Sequence, residues 1–223
     1  MGKYYENCST FAYSWEQIVT AFWKRYPNPF STHVLSEDTL NREIIQGNTL
    51  FTRRILTKTN RVPKWGERFV KSTTVAIVEE SYVDRKTKIL TTYTRNIGLN
   101  RIMSVTEKVI YTPDPSNPGH TVANRMAWID SQMYGFRRAI EAFGLERFRT
   151  NSARASAGFV HILQILYPNY QNKLALMSLH ASSVPSFDET KEKFKEKAKK
   201  AAGEIARQSA EKISLVSNAN VDS

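Results

Sequence analysis

From Val34 to Asp130 the chain follows a strand-like period of two, and from Tyr134 to about Leu166 it follows the period of one unbroken helix. That single change of period limits the fold more than any other feature. Short β-patterned runs joined by tight turns return the chain beside itself and so build an antiparallel sheet. Residues 40–45 lead into the turn Gln46-Gly47-Asn48, and residues 49–56 return. Residues 73–83 are rich in β-branched side chains, Asp84-Arg85-Lys86-Thr87 turns, and residues 89–97 run back. Residues 104–112 form another strand, and a proline-rich loop over 113–119 leads into 120–130. With an opening strand over 4–11, the expectation is six or seven strands.

The helical segment carries Phe136, Ile140, Phe143, Phe148, Ala155, Phe159, Ile162 and Leu163 as a broad apolar face, and Tyr167-Pro168-Asn169 ends it. At ~1.5 Å per residue it is about 45–50 Å long, enough to cross a whole sheet. The fold class is therefore α+β: a curved antiparallel sheet with one long helix across its concave face. A helix packed flat would leave ordinary core, and a helix held off would leave an elongated apolar cavity. The pattern leaves both open.

A shorter helix precedes the sheet. Ser14 with Gln17 three residues on is a capping box, and Trp15, Ile18, Val19, Phe22 and Trp23 share one face. The run Arg25-Tyr26-Pro27-Asn28-Pro29-Phe30-Ser31-Thr32-His33 stops it, because two prolines two apart do not continue a helix. The run fixes a corner with a cation on one side and a histidine on the other.

The 223 residues carry a net charge of +11, and the excess lies mainly in residues 1–170 rather than in the tail. A basic folded body favours anionic partners: phospholipid, nucleic acid or an acidic protein. Cys8 is the single cysteine, which excludes an internal disulfide and a cysteine-based zinc site; a half-buried thiol on a strand is expected. No apolar run approaches the roughly 18–20 residues of a spanning helix. The first six residues match neither a signal peptide nor a transit peptide, and Glu6 stands where a myristoylation signal needs Ser or Thr. Residues 170–186 read as a linker, and 188–213 as a Lys/Glu/Ala-rich, partly helical segment with i,i+4 charge pairs and a thin apolar stripe. That segment is either a solvated tail or a helix lying on an anionic membrane.

Several stretches resemble the PRELI-domain (Ups/PRELI) family. They are Phe22-Trp23-Lys24-Arg25-Tyr26-Pro27-Asn28-Pro29, Ser31-Thr32-His33-Val34-Leu35, Arg53-Arg54-Ile55-Leu56-Thr57-Lys58-Thr59-Asn60, Val62-Pro63-Lys64-Trp65, Tyr93-Thr94-Arg95-Asn96, and Phe143-Gly144-Leu145-Glu146-Arg147-Phe148 with Asn151 and Gly158. The resemblance covers about residues 1–168 in order. It implies a StART-like cavity fold in residues 1–170, followed by a linker and tail over 171–223. It implies a non-enzymatic phospholipid carrier of the mitochondrial intermembrane space, taking phosphatidic acid toward the inner membrane for cardiolipin supply. It also implies a small helical partner with twin Cys-x9-Cys motifs, peripheral contact with anionic mitochondrial membranes, and no cofactor or metal.

Carried over residue by residue, the resemblance assigns headgroup contacts to Arg25, His33, Lys58, Arg61, Arg147, Asn151 and Arg154. The last three are spaced by four and three residues, which places them on one face of a helix. Arg61, Arg147 and Arg154 stand where lysine is common in the family. Val62, Trp65 and Phe69 fall on the family's lid over the cavity mouth, where Trp suits a membrane interface. Burying a phosphomonoester requires such paired cations and hydrogen bonds.

Three other functions compete. A phosphatidylserine carrier would use the same fold. Nucleic-acid binding fits the charge, but no RNP-like, zinc-finger or helix-turn-helix signature appears. Against an enzyme, His33, His120, His161 and His180 lie far apart without metal-ligand spacing, and no nucleophile motif is present.

Overall fold

Ser14 opens α1, Trp15–Trp23, through the reciprocal bonds its sequence calls for. The Gln17 amide donates to Ser14 Oγ at 3.4 Å and the Ser14 amide donates to Gln17 Oε1 at 2.9 Å, satisfying two first-turn donors. The helix buries Trp15, Ile18, Ala21 and Phe22. Beyond it the Tyr26–Pro27 peptide is cis and Pro29–Ser31 forms a single 3-10 turn. Asn28 fastens this corner from inside: its Nδ2 donates to the Arg25 carbonyl at 2.6 Å, and its Oδ1 accepts from the Phe30 amide at 2.9 Å.

The computed structural model describes residues 2–60, 64, 67, 70 and 72–170. Seven strands form one antiparallel sheet: β1 Lys3–Phe11, β2 Val34–Ile45, β3 Thr49–Thr59, β4 Thr74–Asp84, β5 Ile89–Asn96, β6 Ser104–Asp114 and β7 Asn117–Asp130. Their order is β1-β7-β6-β5-β4-β3-β2, so every neighbour but one is a hairpin partner in sequence. Gln46 and Gly47 both take positive φ (50° and 75°) in the three-residue turn 46–48 that joins Ile45 to Thr49. At the β4–β5 turn, Asp84 Oδ1 accepts from the amides of Lys86 and Thr87.

Two boundaries differ from the sequence expectation. β2 starts at Val34 rather than residue 40, and β6 and β7 run through most of the proposed 113–119 loop. β2 is an edge strand, exposed or half-buried throughout, so no alternation marks its first half. Cys8 lies on β1, as expected, but is exposed rather than half-buried, because β1 is the other edge.

The second helix, α2, is Arg137–Leu166, 30 residues or about 45 Å. Phe136 precedes it as N-cap and is 38% exposed, so it leaves the apolar face on which its spacing placed it. α2 packs against α1, the 3-10 turn, β1 and β7 rather than flat on the middle of the sheet. In its second half Phe159, Ile162 and Leu163 join Phe11, Tyr13, Ile18, Phe22, Val109 and Tyr111 in the core. Two glycines bring α2 close. A Cβ at Gly144 would stand 2.6 Å from Met103 Sδ, and one at Gly158 would stand 2.5 Å from Asn28 Oδ1. The helix is packed into the core at its far end, and a hollow remains beneath it between Ile140 and Phe159.

The described residues lie within 1–171, one of the two units into which the chain divides. Arg61, Val62, Trp65, Phe69 and the 171–223 tail lie outside the described residues.

Candidate functional site

The hollow is a cavity of about 280 Å³, or about 1970 Å³ when all space between its walls and at its open mouth is counted. Its apolar wall comes from Val75, Ile77, Leu99, Ile102, Met103 and Val105 below, and Ile140, Phe143 and Phe148 above. Its polar part comes from several separate segments. Arg25 and His33 arrive from the corner, Lys58 from the end of β3, Arg95 from β5, Arg125 from β7, and Arg147 and Asn151 from α2. The corner is tied to β3 directly: the Thr59 amide donates to the His33 carbonyl at 2.8 Å, and Val34 stands opposite Lys58.

Arg25 is largely buried, with its side chain 14% exposed. Its guanidinium lies over the Phe22 ring at 4.2 Å and the Tyr26 ring at 4.9 Å, and donates to Glu79 Oε2. The other oxygen of Glu79 accepts from Arg54 Nε at 3.1 Å, and Arg54 Nη1 donates to Glu37 Oε1 at 2.6 Å. Arg54 is 2% exposed, the largest fully buried side chain. The result is an alternating row Arg25·Glu79·Arg54·Glu37. Burial alone would push the Glu79 carboxyl up, but the guanidinium groups of Arg25 and Arg54 hold it below its ordinary value. Burial would likewise lower Arg25, and the Glu79 carboxylate more than offsets it, leaving Arg25 raised.

A second pair stands farther along the cavity floor: Arg125 donates to Glu107. Burial would lower Arg125, and Glu107 raises it above its ordinary value. Tyr111 sits in the field of both pairs, and its hydroxyl is pushed up, mainly by burial. Among the described residues the cavity is therefore lined by five basic side chains, Arg25, Lys58, Arg95, Arg125 and Arg147, against the two carboxylates Glu79 and Glu107, both of which already face an arginine. Such a chamber can hold an anionic headgroup at its polar part and hydrocarbon along its apolar wall.

Five of the residues singled out in the sequence, Arg25, His33, Lys58, Arg147 and Asn151, line this one cavity. Arg154 does not; it is exposed, seven residues or about 10.5 Å along the axis from Arg147. Arg61 lies outside the described residues. Glu79, Arg54, Arg95, Glu107 and Arg125 were not singled out as site residues. A signal was present in strand parity. Val75, Ile77, Glu79, Ser81 and Val83 share one face of β4; Val105, Glu107, Val109 and Tyr111 share one of β6; and Thr121, Ala123, Arg125, Ala127 and Ile129 share one of β7. In each set a charge interrupts an inward-facing row.

Known proteins agree with this architecture. Two solved structures share the fold: TTHA0849 from Thermus thermophilus (TM-score 0.53, 10% identity, covering 74% of this chain and 99% of that one) and the Zhui aromatase/cyclase from Streptomyces (TM-score 0.51, 11% identity, 74% and 96%). At that identity they establish only the α+β, helix-grip or StART-like class. Sequence relatives are nearer. "PRELI domain-containing protein 1, mitochondrial" is 44% identical over 166 residues in Gallus gallus, covering 73% of this chain and 77% of that protein. The protein of that name in Homo sapiens is 40% identical over 199 residues, covering 88% and 87%. "Protein UPS2, mitochondrial" of Saccharomyces cerevisiae is 35% identical over 176 residues, 76% of each. The model of the PRELI-like family matches residues 16–169, from α1 to the end of α2, and the chain belongs to that family.

Proposed function

We propose that this chain is a mitochondrial phospholipid carrier that takes phosphatidic acid across the intermembrane space toward the inner membrane, without catalysing a reaction. One observation carries the proposal. Arg25, His33, Lys58, Arg147 and Asn151, far apart in sequence, converge on a single cavity that also has a long apolar wall. A phosphomonoester needs several cationic donors to leave water, whereas acyl chains need apolar walls, and the cavity offers both. The names of the relatives support a mitochondrial location.

In the proposed cycle the basic body docks on anionic membrane, each well-placed Lys or Arg contributing up to ~1 kcal/mol. The lipid phosphate moves to the cationic group and the chains enter along Ile102, Met103, Ile140 and Phe143. Arg61 completes the headgroup set, and Val62, Trp65 and Phe69 form the lid and membrane contact. A small twin Cys-x9-Cys protein is the partner.

Transfer of labelled phosphatidic acid between vesicles tests the proposal. Arg25→Gln and Arg147→Gln should each lower the transfer rate about tenfold or more, with melting still cooperative, because each removes a charge-assisted donor. Undiminished transfer by both folded variants would reject the assigned site. In the same assay, competition by unlabelled phosphatidylserine decides between the two headgroups.

A further inference from the structure

Arg25 faces the cavity already paired, and the way its partner is held has a functional consequence. A lone guanidinium as buried as Arg25 would cost several kcal/mol in a cavity without an anion. Glu79 removes that cost by accepting from Arg25 on Oε2. Its other oxygen, Oε1, accepts two bonds from Arg54, from Nε at 3.1 Å and from Nη2 at 2.5 Å. Arg54 has little freedom to move, being 2% exposed, bonded to Glu37 at 2.6 Å and seated against the rings of Phe22 and Trp23. Glu79 is therefore compensated twice. If Arg25 turns away to another anion, Glu79 keeps Arg54 and is not stranded.

The second pair lacks this arrangement: among the described residues Glu107 makes an ion pair with Arg125 alone. Withdrawing Arg125 would leave a buried carboxylate uncompensated. Arg25 differs in a further respect. Its Nε is buried with no hydrogen-bond partner among the described residues, a donor still to be met.

We propose that Glu79 is the resident counter-ion of the headgroup pocket: it neutralises Arg25 when no lipid phosphate is present and yields Arg25 to that phosphate, Arg54 holding it in place throughout. The inference rests on the proposed phospholipid cargo. Its consequence is kinetic. The incoming phosphate competes with a carboxylate already in place, and the same carboxylate recaptures Arg25 as the lipid leaves. Glu79 thus weakens retention and favours release, acting as a positioning residue through Arg25.

The test loads the full chain with labelled phosphatidic acid, follows the label's escape to acceptor vesicles, and measures the melting temperature with and without the lipid. Glu79→Gln should melt lower than wild type when empty, gain more on lipid addition, and release lipid about tenfold more slowly, since one charged competitor is gone. Arg54→Gln should release faster, because Glu79 then holds Arg25 alone. A carboxylate with only a structural role predicts weaker retention in both variants. If Glu79→Gln does not fold, Glu79→Asp takes its place: one methylene shorter, it stays with Arg54 and loses reach to Arg25, and it should also release more slowly. Release by the folded Glu79 variant at the wild-type rate or faster overturns the inference. Failure of the wild-type chain to take up phosphatidic acid at all rejects the cargo instead.

Discussion

Gly158 shows how a single hydrogen in place of a methyl group positions the site. A Cβ there would meet Asn28 Oδ1 at 2.5 Å and Asn28 Cγ and Nδ2 at 3.0 Å. Asn28 has no easy retreat, since it is buried and bonded to both the Arg25 carbonyl and the Phe30 amide. Gly158→Ala should gain ~1 kcal/mol of helix propensity and lose ~1–3 kcal/mol to overpacking, a net loss. Urea unfolding should show both Gly158→Ala and Gly144→Ala less stable than wild type, since a Cβ at Gly144 would meet the buried Ile129 Cγ2 at 2.9 Å as well as Met103 Sδ at 2.6 Å. Individual residues were unevenly legible in the sequence. Arg25, Lys58 and Arg147 were found because they belong to recognisable stretches. Glu79 and Arg125 were overlooked because a charge inside a β-branched run looks like an ordinary surface position until strand parity is counted. Arg154 lies close to the azimuth of Arg147 but not in its surroundings: the cavity runs on along α2 to Ala155, Ser156 and Phe159, over a face that has turned away from Arg154.

Among the elements, α1 was the most legible, because its start is written in four residues. Ser14→Ala removes the acceptor for the Gln17 amide and should lower stability by ~1 kcal/mol, read as a lower urea midpoint with unchanged slope. α1 carries Arg25 at its exit, so the same variant should loosen the corner without touching the cavity wall. α2 was legible in extent but not in placement. Its apolar residues occupy a wide face, and sequence spacing does not distinguish those that fill a core from those that line a void. The split between Ile162 and Leu163 in the core and Phe143 and Phe148 along the cavity, with Phe159 bordering both, depends on α1 and the corner filling one end only. β2 was found only in its second half, because an exposed edge strand carries little alternation.

Across the whole molecule, the ion-pair rows make stability depend on acid. Arg25 and Arg54 hold the Glu79 carboxyl below its unfolded value, so its contribution is present above about pH 4.3 and is lost as pH falls through the folded value. The urea midpoint should be nearly flat from about pH 8 to pH 5.5 and should fall below about pH 4.3. A flat profile down to about pH 3 would mean that the row contributes nothing net. The global fold was legible because six of its strands are a meander of sequence neighbours; the pairing that closes it was not, since no local signal joins β1 to β7. That pairing sets an order on assembly. Lys3 lies opposite Ile129 and Phe11 opposite Thr121, whereas the other strand pairs are made across short turns or single loops. During synthesis β1 is finished first and waits longest, for its partner is the last strand made. Loop-closure entropy therefore concentrates in one late step, and until that step both β1 and the free edge of β7 offer unpaired backbone to any other strand within reach.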